Sequence, residues 1–124
     1  MQANPKWKFA IGTTSRVPGL GGSIHYLIAD FDHDALPSSP YLMNLLRHCQ
    51  HIQFQRTPHG WHMFTDLLMS KEKTKEYLDQ IGADPVWVKI GWERGYWFLS
   101  DKQQMYFTYP VERMILHYGE EEKT

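Results

Sequence analysis

The sequence predicts an α+β fold, an antiparallel sheet with two helices on one face. Three observations carry this. Alternating apolar runs mark strands at 23–32, 51–56, 61–68, 86–92 and 96–101. Turn signals at Thr57-Pro58-His59-Gly60 and Glu93-Arg94-Gly95 fold neighbouring runs into hairpins. Serine caps open two helical segments, one before Pro40 and one before KEKTKEYLDQIG. After a first strand the order reads β-α-β-β-α-β-β. A βαββαβ order builds a split sheet whose second face is left free to bind.

Lys6 to Thr13 is expected to be a short strand with Trp7, Phe9 and Ile11 on one side, followed by a flexible loop, Pro18 through Gly22. That loop lacks the lysine and following helix of a phosphate-cradling P-loop and reads as a connector. SIHYLIADFD, Ser23 to Asp32, is the clearest strand. Ile24, Tyr26, Ile28, Asp30 and Asp32 alternate with His25, Leu27, Ala29 and Phe31, and both faces stay largely apolar until the end. Such a strand is central, with carboxylates only at its C-terminal edge.

Ser38 or Ser39 caps a helix from Pro40 to about His48, with Tyr41, Leu42, Leu45 and Leu46 as its inner stripe. Ser70 caps a second helix, with Tyr77, Leu78 and Ile81 inside and Gly82 as its stop. Asp84-Pro85 is expected to turn the chain into the hairpin VWVKIGW/YWFLSD. MYFTY extends the sheet, and Pro110 opens a short helix through Val111, Met114, Ile115 and Tyr118. Three segments follow: an N-terminal strand and Gly-rich loop (1–22), the main domain (23–118) and a solvated tail (119–124).

A net charge of −1 argues against a surface that grips nucleic acid through many phosphate contacts, but leaves room for a local basic groove or a bridging metal. The single cysteine, Cys49, forms no intrachain disulfide and fits a reducing compartment. His48 and His51 flank it and could share a helix face, yet a zinc site needs further ligands. MQANPKWKFAIG has no long apolar run, so neither a signal peptide nor a membrane span is expected and the cytoplasm is the default location.

Two motifs carry chemistry. In Asp30-Phe31-Asp32 the carboxylates stand at i and i+2 of a strand, so both can reach one cation, as phosphoryl transfer requires. The same pattern also suits a solvated strand end, with Asp34 in the turn. In the hairpin Arg56-Thr57-Pro58-His59-Gly60-Trp61-His62, a hydroxyl, backbone N–H groups, Arg56 and His62 can meet a phosphate chain. It is equally a plain turn with Gly60 at positive φ. Trp87, Trp92, Tyr96, Trp97 and Phe98, beside Lys89 and Arg94, offer stacking surfaces or simple core.

LIADFD and TPHGWH together resemble the motifs of the archaeo-eukaryotic primase and primase-polymerase superfamily, with Asp30, Asp32, Thr57, Gly60 and His62 at matching positions. The resemblance spans roughly 23–99. It implies an RRM-like (ferredoxin-like) palm and a nucleotidyltransferase using Mg2+ or Mn2+ for DNA or RNA synthesis. Asp30 and Asp32 would be catalytic and hold the metal. Thr57 and His62 would contact the incoming nucleotide's phosphates; beside the resemblance, Arg56, Gly60 and Lys89 complete the expected nucleotide-binding set, and Trp92 and Arg94 are expected to bind single-stranded nucleic acid. Replication proteins are the implied partners. The family's third acidic position falls on Lys89, leaving Asp66, Glu93 and Asp101 as substitutes. The alternative is a non-catalytic RRM-like module that binds single-stranded nucleic acid or a replication partner. A replication-initiator nuclease ranks third, because Gly60 and Phe64 stand where a second histidine would flank His62.

Overall fold

The structure, a computed structural model, describes residues 7–101 and 105–119, with side chains from 10 to 116. The expected tail beyond 119 and the side chains of Trp7 and Phe9 lie outside the described residues. The elements are β1 (Trp7–Thr14), β2 (Ile24–Phe31), α1 (Pro40–Leu46), β3 (Ile52–Arg56), β4 (Trp61–Ser70), α2 (Lys71–Ile81), α3 (Pro85–Arg94), β5 (Phe98–Ser100) and β6 (Arg113–Gly119). They form an α+β fold with two three-stranded antiparallel sheets, ordered β2-β4-β3 and β5-β1-β6. Among the described residues no helix is long and apolar enough to cross a membrane.

β2 is buried on both faces, as its continuous apolar run requires. The register pairs Ile28 with Phe64 and Asp30 with His62, which puts those four side chains on one face. Ala29, Met63 and Phe31 stand on the other. Leu42 and Leu45 of α1 and Leu78 and Ile81 of α2 complete the same core. Ser39 caps α1 by accepting the Leu42 N–H at 3.2 Å, and Ser70 caps α2 by accepting the Lys73 N–H at 3.2 Å. Tyr41, expected inside α1, is exposed. A seven-residue helix has too few turns to bury a four-residue stripe.

Three expectations are corrected. VWVKIGWER is a helix, α3, and not a hairpin strand. Asp84 caps it by accepting the Val86 N–H at 3.0 Å, Pro85 fills the first turn, and Gly95 ends it at φ 103°. Strong start and stop signals outweigh the β preference of Val, Ile and Trp between them. Gly91 is needed on the inner face, because a Cβ there would collide with the Trp97 indole, whose Nε1–H donates to the Val88 carbonyl at 3.0 Å. The second correction is β6. The segment expected as a helix pairs along β1 from Thr13↔Arg113 to Trp7↔Gly119. A waiting ladder partner decides between two weak periodicities. β1 thereby becomes the middle strand of its sheet.

The third correction concerns the free face. Residues 105–111 form no strand and lie as a strap over the sheet. Phe107 meets Phe64 at 5.5 Å between ring centroids, and Tyr109 meets Tyr26 at 5.1 Å. The Tyr26 hydroxyl donates to the Pro110 carbonyl at 2.7 Å, and Gln53 donates to the Tyr106 carbonyl at 2.8 Å. Each aromatic pair adds roughly 0.5–1.5 kcal/mol beyond area burial. Beyond the strap, the end of the face where Asp30 and His62 stand borders a cavity.

Candidate functional site

β2, β4 and β3 run side by side, and their register sets Asp30, His62 and Gln55 in a row across the sheet. The row borders a cavity of about 600 Å³. Asp32 extends the acidic wall from the turn after β2, and Asp84 adds a third carboxylate from the N-cap of α3. Arg56, Thr57 and His59 of the β3–β4 turn form the facing wall, and Ser100 closes one side.

Gly60 sets the position of that turn. It is buried, and a Cβ on it would strike the carbonyl of Phe31. Its requirement is close approach to the end of β2, since Gly60 is not among the positive-φ glycines. The Thr57 hydroxyl accepts the Gly60 N–H at 2.9 Å, and the Thr57 N–H donates to the Gly60 carbonyl at 2.9 Å. Thr57 therefore stiffens the turn while lining the cavity. Asp84 is anchored by its own N–H, which donates to the Asp30 carbonyl at 2.8 Å.

His62 Nε2 lies 3.5 Å from Asp30 Oδ1, a long contact, with both side chains mostly buried. Burial holds the His62 imidazole below its ordinary range. The Ser100 backbone and the Asp101 charge pull the other way without giving the buried Nδ1 a hydrogen-bond partner among the described residues. Burial, then the charges of Asp84 and Asp32, push Asp30 up to about 6. Three crowded carboxylates beside a neutral imidazole are short of positive charge.

The structure gathers Asp30, Asp32, Arg56, Thr57 and His62 around one cavity, with Gly60 packed behind its wall. It does not bring Lys89, Trp92 or Arg94 there. Lys89 is exposed on α3, Trp92 lies under the Lys71 ammonium at 4.1 Å, and Arg94 sits beside Tyr96. Asp101, an acidic substitute by sequence, is buried and bound by Arg113 at 2.7 and 2.8 Å. Asp66 accepts the Gln50 and His51 N–H groups. Asp84, the acidic residue that does reach the cavity, was readable as a helix start, because Asp-Pro is a cap followed by a first-turn proline. Near Cys49, His51 bonds Thr108 at 3.0 Å and the thiol faces the Leu45 carbonyl.

Comparison with protein-family models, curated proteins and solved structures returns no significant match for this chain.

Proposed function

We propose that this cavity binds a divalent cation and a nucleotide, and that the domain is a primase-like nucleotidyltransferase. One observation carries the reading: Asp30 and His62, 3.5 Å apart on adjacent strands, face a cavity shared with Asp32, Asp84, Arg56 and Thr57. Hard carboxylate oxygens suit Mg2+ or Mn2+. A cation there would favour the ionised form of Asp30, which burial first and the charges of Asp84 and Asp32 second disfavour. Among the described residues no three His, Cys, Asp or Glu side chains converge as a ready ligand set, so such an ion would keep several waters, as Mg2+ commonly does. Asp30 and Asp32, at i and i+2 where β2 ends, are the residues that would hold it, with Asp84 adding negative charge beside them. When bound, it would supply charge neutralisation for phosphoryl transfer.

The chain's own groups divide the remaining work. Arg56 and the turn around Thr57 orient phosphate oxygens. His62, held neutral by burial, can donate one hydrogen bond without adding charge. The element order supports the RRM-like palm. The run β2-α1-β3-β4-α2-β5 keeps a βαββαβ sequence with α3 inserted, and β5 touches β2. Manganese-dependent nucleotide addition on a primed or single-stranded template tests the proposal. Asp30→Asn is expected to abolish it, and addition that survives Asp30→Asn with Asp32→Asn ends the assignment.

A second reading, a metal-independent module for single-stranded nucleic acid, draws on a separate patch. There Arg16 and Arg94 flank Tyr96, and Lys71 covers Trp92. It expects oligonucleotide binding at low salt in EDTA, weakened by Arg94→Ala and untouched by Asp30→Asn. Binding that Arg94→Ala leaves unchanged would exclude this patch.

A further inference from the structure

Arg56 borders the cavity, yet its guanidinium is engaged elsewhere. Nη1 donates to the Asp34 carbonyl at 2.7 Å, and Nη2 donates to the Asp34 carboxylate. The Trp61 indole N–H donates to the same carbonyl at 3.1 Å, and the guanidinium lies 5.1 Å from the Trp61 ring centroid. Three N–H donors thus converge on one aspartate. Asp34 belongs to no helix or strand and does not line the cavity. Its side chain is 92% exposed and that of Arg56 47%, so solvent and competing anions reach the pair freely.

We propose that Asp34 is a built-in stand-in anion. It parks Arg56 at the rim, and a polyphosphate ligand draws the guanidinium away by replacing the aspartate carboxylate on Nη2 and the Asp34 carbonyl on Nη1. The inference deepens the nucleotide-site reading and rests on it for the ligand class. The chemistry is that of the guanidinium fork, which donates to two oxygens of a carboxylate or a phosphate in the same plane. A polyphosphate carries more charge than one carboxylate, so the exchange favours the ligand once the carboxylate wall is neutralised. A purely structural clamp makes the opposite claim: Asp34 would hold the turn in shape, and removing its charge would leave binding unchanged or weaker.

The probe is inorganic tripolyphosphate in MgCl2, followed by calorimetry on the full chain. Asp34→Asn is expected to bind roughly two- to fivefold tighter, the range an exposed ion pair is worth. Arg56→Gln should bind more weakly, and the double variant should lose the gain of Asp34→Asn. Trp61→Phe, which removes one donor to Asp34, should give a smaller gain and serves if Asp34→Asn folds poorly. Equal affinity in wild type and Asp34→Asn would overturn the proposal. So would absence of binding in both, or a gain that persists in the double variant, since that is the mere loss of a negative charge. Mn2+ binding, read separately from the aqueous Mn2+ spin-resonance signal with Asp30→Asn as control, tells failure of the stand-in from failure of the cation site.

Discussion

Two buried imidazoles sit at opposite ends of the β2 strand region. His25 is near the start of β2, and His62 faces Asp30 near its end. Burial holds both below their ordinary range, and each has one ring nitrogen without a partner among the described residues. The difference is the outlet. His25 is sealed: Nδ1 lies 2.8 Å from the Ser15 hydroxyl, and the Trp97 ring closes over it edge-on at 5.6 Å. The same Ser15 oxygen accepts the Trp97 backbone N–H at 3.0 Å, so one serine side chain ties both the imidazole and the Trp97 backbone in place. His62 has no such sequence of partners and opens on the cavity instead. Burial alone does not mark a reactive histidine. What marks it is an unsatisfied ring beside other unsatisfied charges, with space in front.

The sharpest way to break this comparison is to remove the partner at the sealed end. Ser15→Ala strips an acceptor from the Trp97 backbone N–H and the hydrogen-bond partner from His25 Nδ1, and should cost about 3 kcal/mol in urea unfolding. His62→Phe should cost under about 1 kcal/mol, because its long contact with Asp30 contributes little, while nucleotide binding is weakened. Equal costs at the two ends would show that His62 is as structural as His25.

The next effect in size is Gly60→Ala. The added methyl must push the β3–β4 turn off the Phe31 carbonyl, at a cost of about 2 kcal/mol, and should widen the cavity enough to weaken ligand binding at any pH. A neutral result in thermal unfolding would mean the turn yields easily and does not fix the wall.

A further effect, smaller than that of Gly60→Ala, has a diagnostic sign. The folded-state pKa of Asp30, about 6, lies above the ordinary aspartate value of 3.8. The folded protein therefore binds the extra proton, and the charged carboxylate is a burden above pH 6 that is lifted as pH falls toward 3.8. Asp30→Asn should thus stabilise the protein by about 1–2 kcal/mol at pH 8, and the gain should vanish near pH 4. The two histidines act in the opposite sense. Their folded-state pKa values are lowered, so their contribution is complete above 6.5 and is lost as pH falls through the folded values. In wild type the two trends oppose one another; in Asp30→Asn the acid decline below pH 6.5 should steepen. A variant that is less stable than wild type at pH 8 would show that Asp30 is a structural carboxylate.

Much of the cavity was legible because local rules governed it. Alternation fixed the common face of Asp30, Ile28 and Tyr26, and the Thr57–Gly60 turn fixed the return of His62 toward Asp30. Helices α1 and α2 were legible from Ser39, Pro40, Ser70 and Gly82, since capping needs only a few adjacent residues. What stayed hidden depended on distant partners. Met114 and Ile115 satisfy a helical and a strand period alike, and only β1 decides between them. Phe107 and Tyr109 read as strand residues until Tyr26 and Phe64 are placed beneath them. Asp84 was visible as a residue but not as a wall of the cavity, because its meaning depended on reading α3 as a helix.

The pairing of β1 with β6 joins residues 7–14 to residues 113–119, contacts separated by nearly the whole described chain. Closing so long a loop is slow, and a growing polypeptide meets that delay in order of synthesis. β1 has to wait, its ladder groups open to water, until β5 covers the end of one edge and β6 emerges later to cover the other.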